Sequence, residues 1–231
     1  MSNILIQNAN LVDGTGAPAR LADVLVEAGK IAAIEEPGRI ASDGVEVIDA
    51  KGLLLTPGFV DVHTHYDGQV TWDPILTPSS WHGVTTVVMG NCGVGFAPAK
   101  ADERGWLIEL MEGVEDIPGT ALHEGIKWDW ESFPEYLDAL DKLPRTLDIA
   151  TQIPHGALRV YVMGKRGADQ EPATGEDLDR MAALVKEAVE AGALAFSTNR
   201  LPGHTSIHGD PVPGTFAPAE ELTRMAQAVV D

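Results

Sequence analysis

Two histidines one residue apart, His63 and His65, stand in the stretch TPGFVDVHTHYDG at residues 56–68. A neutral imidazole offers a nitrogen lone pair. Two of them at i and i+2 on one strand project from the same face, so both can reach a single cation. The apolar run Phe59 to Thr64, behind the turn Thr56-Pro57-Gly58, reads as that strand. The same alternation puts Asp61 on the histidines' face, where its carboxylate is placed to orient one of them. Two ordinary strand-end histidines are the bland alternative; the spacing behind an apolar run favours ligands.

A thiol comes next. Cys92 is the one cysteine of the chain, in Gly90-Asn91-Cys92-Gly93-Val94-Gly95. It follows Val84 to Met89, a β-branched run typical of a strand buried on both faces. A single cysteine excludes an internal disulfide and fits a reducing compartment, a metal ligand or a reactive thiol. An inert buried cysteine fits equally. The glycine spacing is not the dinucleotide fingerprint; the glycines instead let backbone come close to something bound. A third histidine, His155, follows the apolar run Leu147 to Ile153, and Ser197-Thr198-Asn199-Arg200 follows Ala193 to Phe196. Each is either a site group at a strand end or an ordinary loop residue.

The elements that must position these groups fall into two parts. Residues 1–56 carry short apolar runs at 4–12, 23–28, 31–34, 45–48 and 53–55, separated by turn signals, and read as a small, incomplete β-sandwich module. From 57 to 231 strand patterns alternate with helical ones. Ser132 with Glu135 is a capping box opening a helix to about Lys142, and Leu178, Met181, Val185 and Val189 form an amphipathic stripe over 176–190. Pro218 opens a last helix. Alternation of this kind implies a parallel sheet with crossover helices, and the polar candidates all follow strands, as an active site at the top of a (β/α)₈ barrel requires. The expected fold class is α/β: the small β module, then the first half of a TIM-type barrel over 57–231, with four βα units. Eight units need about 250 residues, so the barrel is expected to be truncated or completed elsewhere.

Composition narrows the partners. Sixteen Lys and Arg against 35 Asp and Glu give a net charge of −19 over 231 residues, which disfavours nucleic acid and anionic membrane surfaces. No apolar run approaches the roughly 20 residues that span a bilayer. The start MSNILIQNAN lacks a basic region followed by a long apolar segment, so a cytoplasmic protein is expected.

The order of these features resembles the amidohydrolase superfamily, and more closely its N-acyl-D-amino-acid deacylase (D-aminoacylase) group. The stretches that carry the resemblance are PGFVDVHTH (57–65), GVTTVVMGNCGVGFAP (83–98), WESFPEYLDAL (130–140), PHGALRVYVMG (154–164) and ALAFSTNR (193–200). His-x-His marks the superfamily; Gly-Asn-Cys-Gly is the more specific signal. The resemblance implies that His63 and His65 are a metal-binding pair and that Cys92 is a further metal ligand. It implies two more histidines and a general-base aspartate on strands beyond Asp231, so that the 231-residue piece is expected to be inactive alone. Ser197, Thr198 and Asn199 stand where many relatives carry a carbamylated lysine. Zinc, one or two ions per site, suits such nitrogen and sulfur ligands. The implied reaction is hydrolysis of a linear amide C–N bond in a small N-acyl amino acid, with His155, Arg159, Asn199 and Arg200 as candidate substrate contacts; an arginine suits the substrate carboxylate. A rim salt bridge is the alternative for each arginine. A cyclic amidase of dihydroorotase or hydantoinase type and a non-catalytic structural piece stay open, as does assembly into a homo-oligomer.

Overall fold

The computed structural model describes residues 3–230, which divide into two compact units, one up to Gly58 and one from Phe59. In the first unit β1 (Ile4–Leu11), β2 (Arg20–Glu27) and β3 (Lys30–Glu35) form an antiparallel meander. The Gly29 turn joins the last two, with φ +77°. The strands β4 (Glu46–Asp49) and β5 (Leu54–Leu55) both run parallel to β1 on its free edge, one along Ile4–Gln7 and the other along Asn10–Leu11. Two successive strands share one edge of β1. Among the described residues the unit is a single five-stranded sheet, one layer of the incomplete sandwich expected there. Its buried apolar cluster is correspondingly small, centred on Leu11, Ala22 and Val24. Asp23 of β2 is buried and accepts the N–H groups of Asn8 and Gly38, each at 2.8 Å, satisfying both carboxylate oxygens.

The second unit is mixed α/β. Its β6 (Phe59–Asp61) and β8 (Asp148–Thr151) flank β7 (Val84–Met89), all parallel. After Gln152 the chain continues as β9 (Ile153–Pro154), which pairs in parallel with β10 (Phe196–Ser197). The Gln152 N–H still donates to Met89 O, so the order runs β6, β7, β8–β9, β10. Between β7 and β8 lie α1 (Arg104–Glu115), α2 (Gly119–Gly125) and α3 (Phe133–Asp141). The chain leaves β9 through α4 (His155–Met163), α5 (Lys165–Ala168) and α6 (Gly175–Ala191), and β10 is followed by a long loop and α7 (Ala219–Val230).

Local sequence explains the helices. Ser132 and Glu135 form the expected capping box at α3, and Thr174 with Asp177 forms another at α6. Met181, Val185 and Ala188 of α6 are buried against α3, α4 and α7, as their stripe requires. The core gathers Val87 and Met89 from β7, Leu107, Leu110 and Met111 from α1, Ile153, Leu158 from α4 and Met225 from α7. Burial of each such side chain contributes about 1.5–3 kcal/mol. No helix among the described residues is long and apolar enough to cross a membrane.

Candidate metal centre

The strand that leads to the histidines is shorter than its sequence pattern predicts. It ends at Asp61, three residues before the expected end at Thr64. The Asp61 carboxylate accepts the backbone N–H of His63 at 3.2 Å, a local turn that competes with the ladder. Asp61 thus holds the backbone of His63. Strict alternation therefore does not aim the pair. Thr64, between them, does: its N–H donates to Val88 O at 3.0 Å and its hydroxyl to the same oxygen at 2.8 Å, with the residue 8% exposed. Thr64 is pinned to the end of β7, and the two histidine rings flank it with centroids 5.4 Å apart.

Cys92 arrives from the turn after β7. Its backbone is left-handed, with φ +54° and ψ +14°, a region few non-glycine residues occupy. Gly90 before it has φ +79°, and any Cβ there would sit 2.2 Å from Gln152 O, so the close approach of turn and strand needs glycine. The turn brings Cys92 Sγ to 3.3 Å from His63 Nε2. One donor atom from each of His63, His65 and Cys92 lies within 4.8 Å of the others. Donors around a tetrahedral zinc with bonds of about 2.0–2.3 Å lie roughly 3.5 Å apart, so the trio fits that ion with small side-chain adjustment. His65 Nδ1 is buried without a hydrogen-bond partner, a further sign that the ring is not satisfied by protein alone.

Two residues join the site that the sequence did not single out as ligands. Glu115, the last residue of α1, places Oε1 at 3.2 Å from His65 Nε2. His204, in the loop after β10, forms with Glu115 and Cys92 a second three-donor group sharing the sulfur. A carboxylate in the last turn of a helix opposes the macrodipole, and that misfit is the one sequence signal at Glu115. Burial shifts all three of the groups that meet here. Burial, with help from His63 and His204, pushes His65 down to about 4. Burial and then Asp116 push Glu115 up to about 6. Burial, with Glu115 and Asp67 adding to it, raises the Cys92 thiol.

The expected substrate contacts fare differently. His155 is the first residue of α4 rather than a loop residue, and it is wholly buried. Its Nδ1 meets Thr198 Oγ1 and its Nε2 meets Glu221 Oε1, each at 2.8 Å. Arg159, one helical turn on, is 2% exposed; its guanidinium donates to Glu221 Oε1 and, at 2.6 Å, to Glu171 O. Both residues form a buried clamp between α4 and α7, where the Glu221 carboxylate meets them. Arg200 donates to Ala217 O, which ties it to the loop before α7. Asn199 lies beside the centre: its side chain meets His204 Nδ1, and its Oδ1 accepts the Leu201 N–H at 2.6 Å.

Comparison with known proteins gives a consistent setting. A family model described as "Amidohydrolase family" matches residues 46–231. An N-acyl-D-aspartate deacylase of Alcaligenes xylosoxydans xylosoxydans is 34% identical over 226 residues, 98% of this chain and 40% of its own length. The chain thus spans about two fifths of that relative. A D-aminoacylase structure, from work on the functional role of its binuclear metal center, superposes with TM-score 0.78 at 32% identity, covering 100% of this chain and 43% of the other. An N-acyl-D-glutamate deacylase of Bordetella bronchiseptica, solved with zinc and a phosphonate inhibitor that mimics the tetrahedral intermediate, superposes with TM-score 0.72 at 32% identity, covering 99% and 43%.

Proposed function

The chain belongs to the amidohydrolase family, and on that premise we propose that the intact protein is a zinc-dependent hydrolase of linear amide C–N bonds, of the N-acyl-D-amino-acid deacylase type. The observation that carries this reading is the meeting of His63, His65 and Cys92, from two segments of the chain, within the reach of one ion. The second unit is read as the first half of a (β/α)₈ barrel, with the centre at the C-terminal ends of β6 and β7. A cytoplasmic enzyme acting on a small N-acyl amino acid fits the acidic charge and the single cysteine.

The residues present supply the binding half of the chemistry. His63, His65 and Cys92 would hold a zinc ion, which would supply Lewis acidity to activate a water near neutral pH and to polarise an amide carbonyl. His65, held near 4, keeps its lone pair free at neutral pH. His63 and His65 give neutral nitrogens, and Cys92 gives a sulfur that loses its proton on ligation. Glu115 stands against His65 and is placed to orient that ring or to add an oxygen donor. Asn199 holds His204 toward the same place. A second ion shared through Cys92 is supported by the Cys92–Glu115–His204 group and by the binuclear centre named for the D-aminoacylase relative.

The test is zinc content and hydrolysis together. The intact protein, purified and freed of metal, should release free amino acid from N-acetyl-D-amino acids only after zinc is restored. Hydrolysis of dihydroorotate or hydantoin, with none of the linear amide, would favour the cyclic amidase reading. Metal-free protein with undiminished activity would sink the proposal.

A further inference from the structure

The side chain of Asn91 sits between the two halves of the candidate centre. It is 8% exposed, and both ends of its amide are used. Its Nδ2 donates to Thr64 O at 3.3 Å and to Val88 O at 3.0 Å, and its Oδ1 accepts from Gln152 Nε2 at 2.9 Å. Thr64 is the residue between the two histidines, and Asn91 immediately precedes the cysteine. The pairing of β6 with β7 stops at Asp61 and Val87. Beyond it, the histidine segment is held to the end of β7 by Thr64's own two bonds to Val88 O and by this amide. On the other side, the left-handed Cys92 is bracketed by Gly93 N–H donating to Ser197 Oγ and Val94 N–H donating to Asn91 O, both at 3.1 Å.

We propose that Asn91 is the positioning residue of the metal centre: its amide ties the carbonyl between the two histidines to the turn that carries the thiol, and so sets the separation of sulfur from imidazoles. The inference rests on the metal-centre reading given above. The side-chain chemistry is restrictive. Two carbonyls must be met by two N–H donors, and Gln152 by an acceptor, on a stem one methylene long. Aspartate has the same shape, offers no donor when ionised, and turns a carboxylate toward two carbonyl oxygens. An ordinary buried hydrogen bond would affect stability alone. A positioning residue changes how the sulfur meets the metal in molecules that remain folded.

The experiment compares the intact wild type with Asn91→Asp and Gln152→Met, each prepared metal-free and titrated with zinc and, separately, with cobalt(II). Asn91→Asp is expected to weaken zinc binding about 10–100-fold and to lose intensity in the thiolate-to-cobalt charge-transfer band per bound ion. Gln152→Met keeps the Asn91 donors and should show a smaller loss of the same sign. A folded Asn91→Asp with wild-type zinc affinity and cobalt spectrum overturns the inference and leaves the metal centre standing. If Asn91→Asp does not fold, Gln152→Met decides, and a wild-type cobalt spectrum there overturns it as well. Failure of the wild type to bind either metal would sink the metal-centre reading, and this inference with it.

Discussion

Cys92 Sγ lies 3.3 Å from His63 Nε2, although 29 positions separate the two residues. The parallel pairing of β6 with β7, the bonds of Thr64 and Asn91 beyond it, and the left-handed turn after β7 bring them together. If that pair is half of a metal site, Cys92→Ala in the intact protein should remove bound zinc and amide hydrolysis together, with the fold retained. Elemental analysis beside a hydrolysis assay reads both. A variant that keeps stoichiometric zinc and wild-type turnover would show that the sulfur is not a ligand.

Glu115 against His65 is the contact that the chain pattern least foretold. Glu115→Gln keeps the shape and removes the charge. Zinc affinity, measured by competition with a chelator, should fall by about 10–100-fold. Unchanged affinity would make the contact a bystander.

The Arg159–Glu221 pair is buried on both sides, at 2% and 1% exposure. Removing one partner strands a charge in the interior. Arg159→Met should therefore destabilise the protein by about 3–5 kcal/mol, read from denaturant midpoints, and leave metal stoichiometry unchanged in the folded fraction. A variant of normal stability but raised KM would instead make Arg159 a substrate contact.

His155 sets a pH dependence of stability. Burial holds its pKa below the usual histidine value, outweighing the pull of Glu221. Glu221 itself, pushed up by burial, ends below its usual range because His155 and Arg159 hydrogen-bond to its carboxylate. The pair is thus a neutral imidazole beside an ionised carboxylate. The unfolded chain takes up a proton near pH 6.5 that the folded His155 resists, so stability should fall as pH drops through that value. A second loss should follow at lower pH as Glu221 protonates. Urea unfolding from pH 8 to 5 checks this, and His155→Gln should flatten the first step. An unchanged slope in that variant would assign the dependence to other groups.

The sequence by itself determined the local facts. The meander turns, the capping box at Ser132, the α6 stripe and the β-branched β7 follow from short-range chemistry, and so does the identity of the His63, His65 and Cys92 donors. Short-range rules missed what depends on competition between partners. Asp61 ended β6 early by taking the His63 N–H, and β4 and β5 shared one edge of β1. Only tertiary structure could decide that Glu115 and His204 face the thiol while His155 and Arg159 turn inward to Glu221. A side chain's role depends on which partner meets it, and those partners come from elements 43–66 positions away in the chain, as with His155 against Thr198 and Glu221 and Arg159 against Glu221.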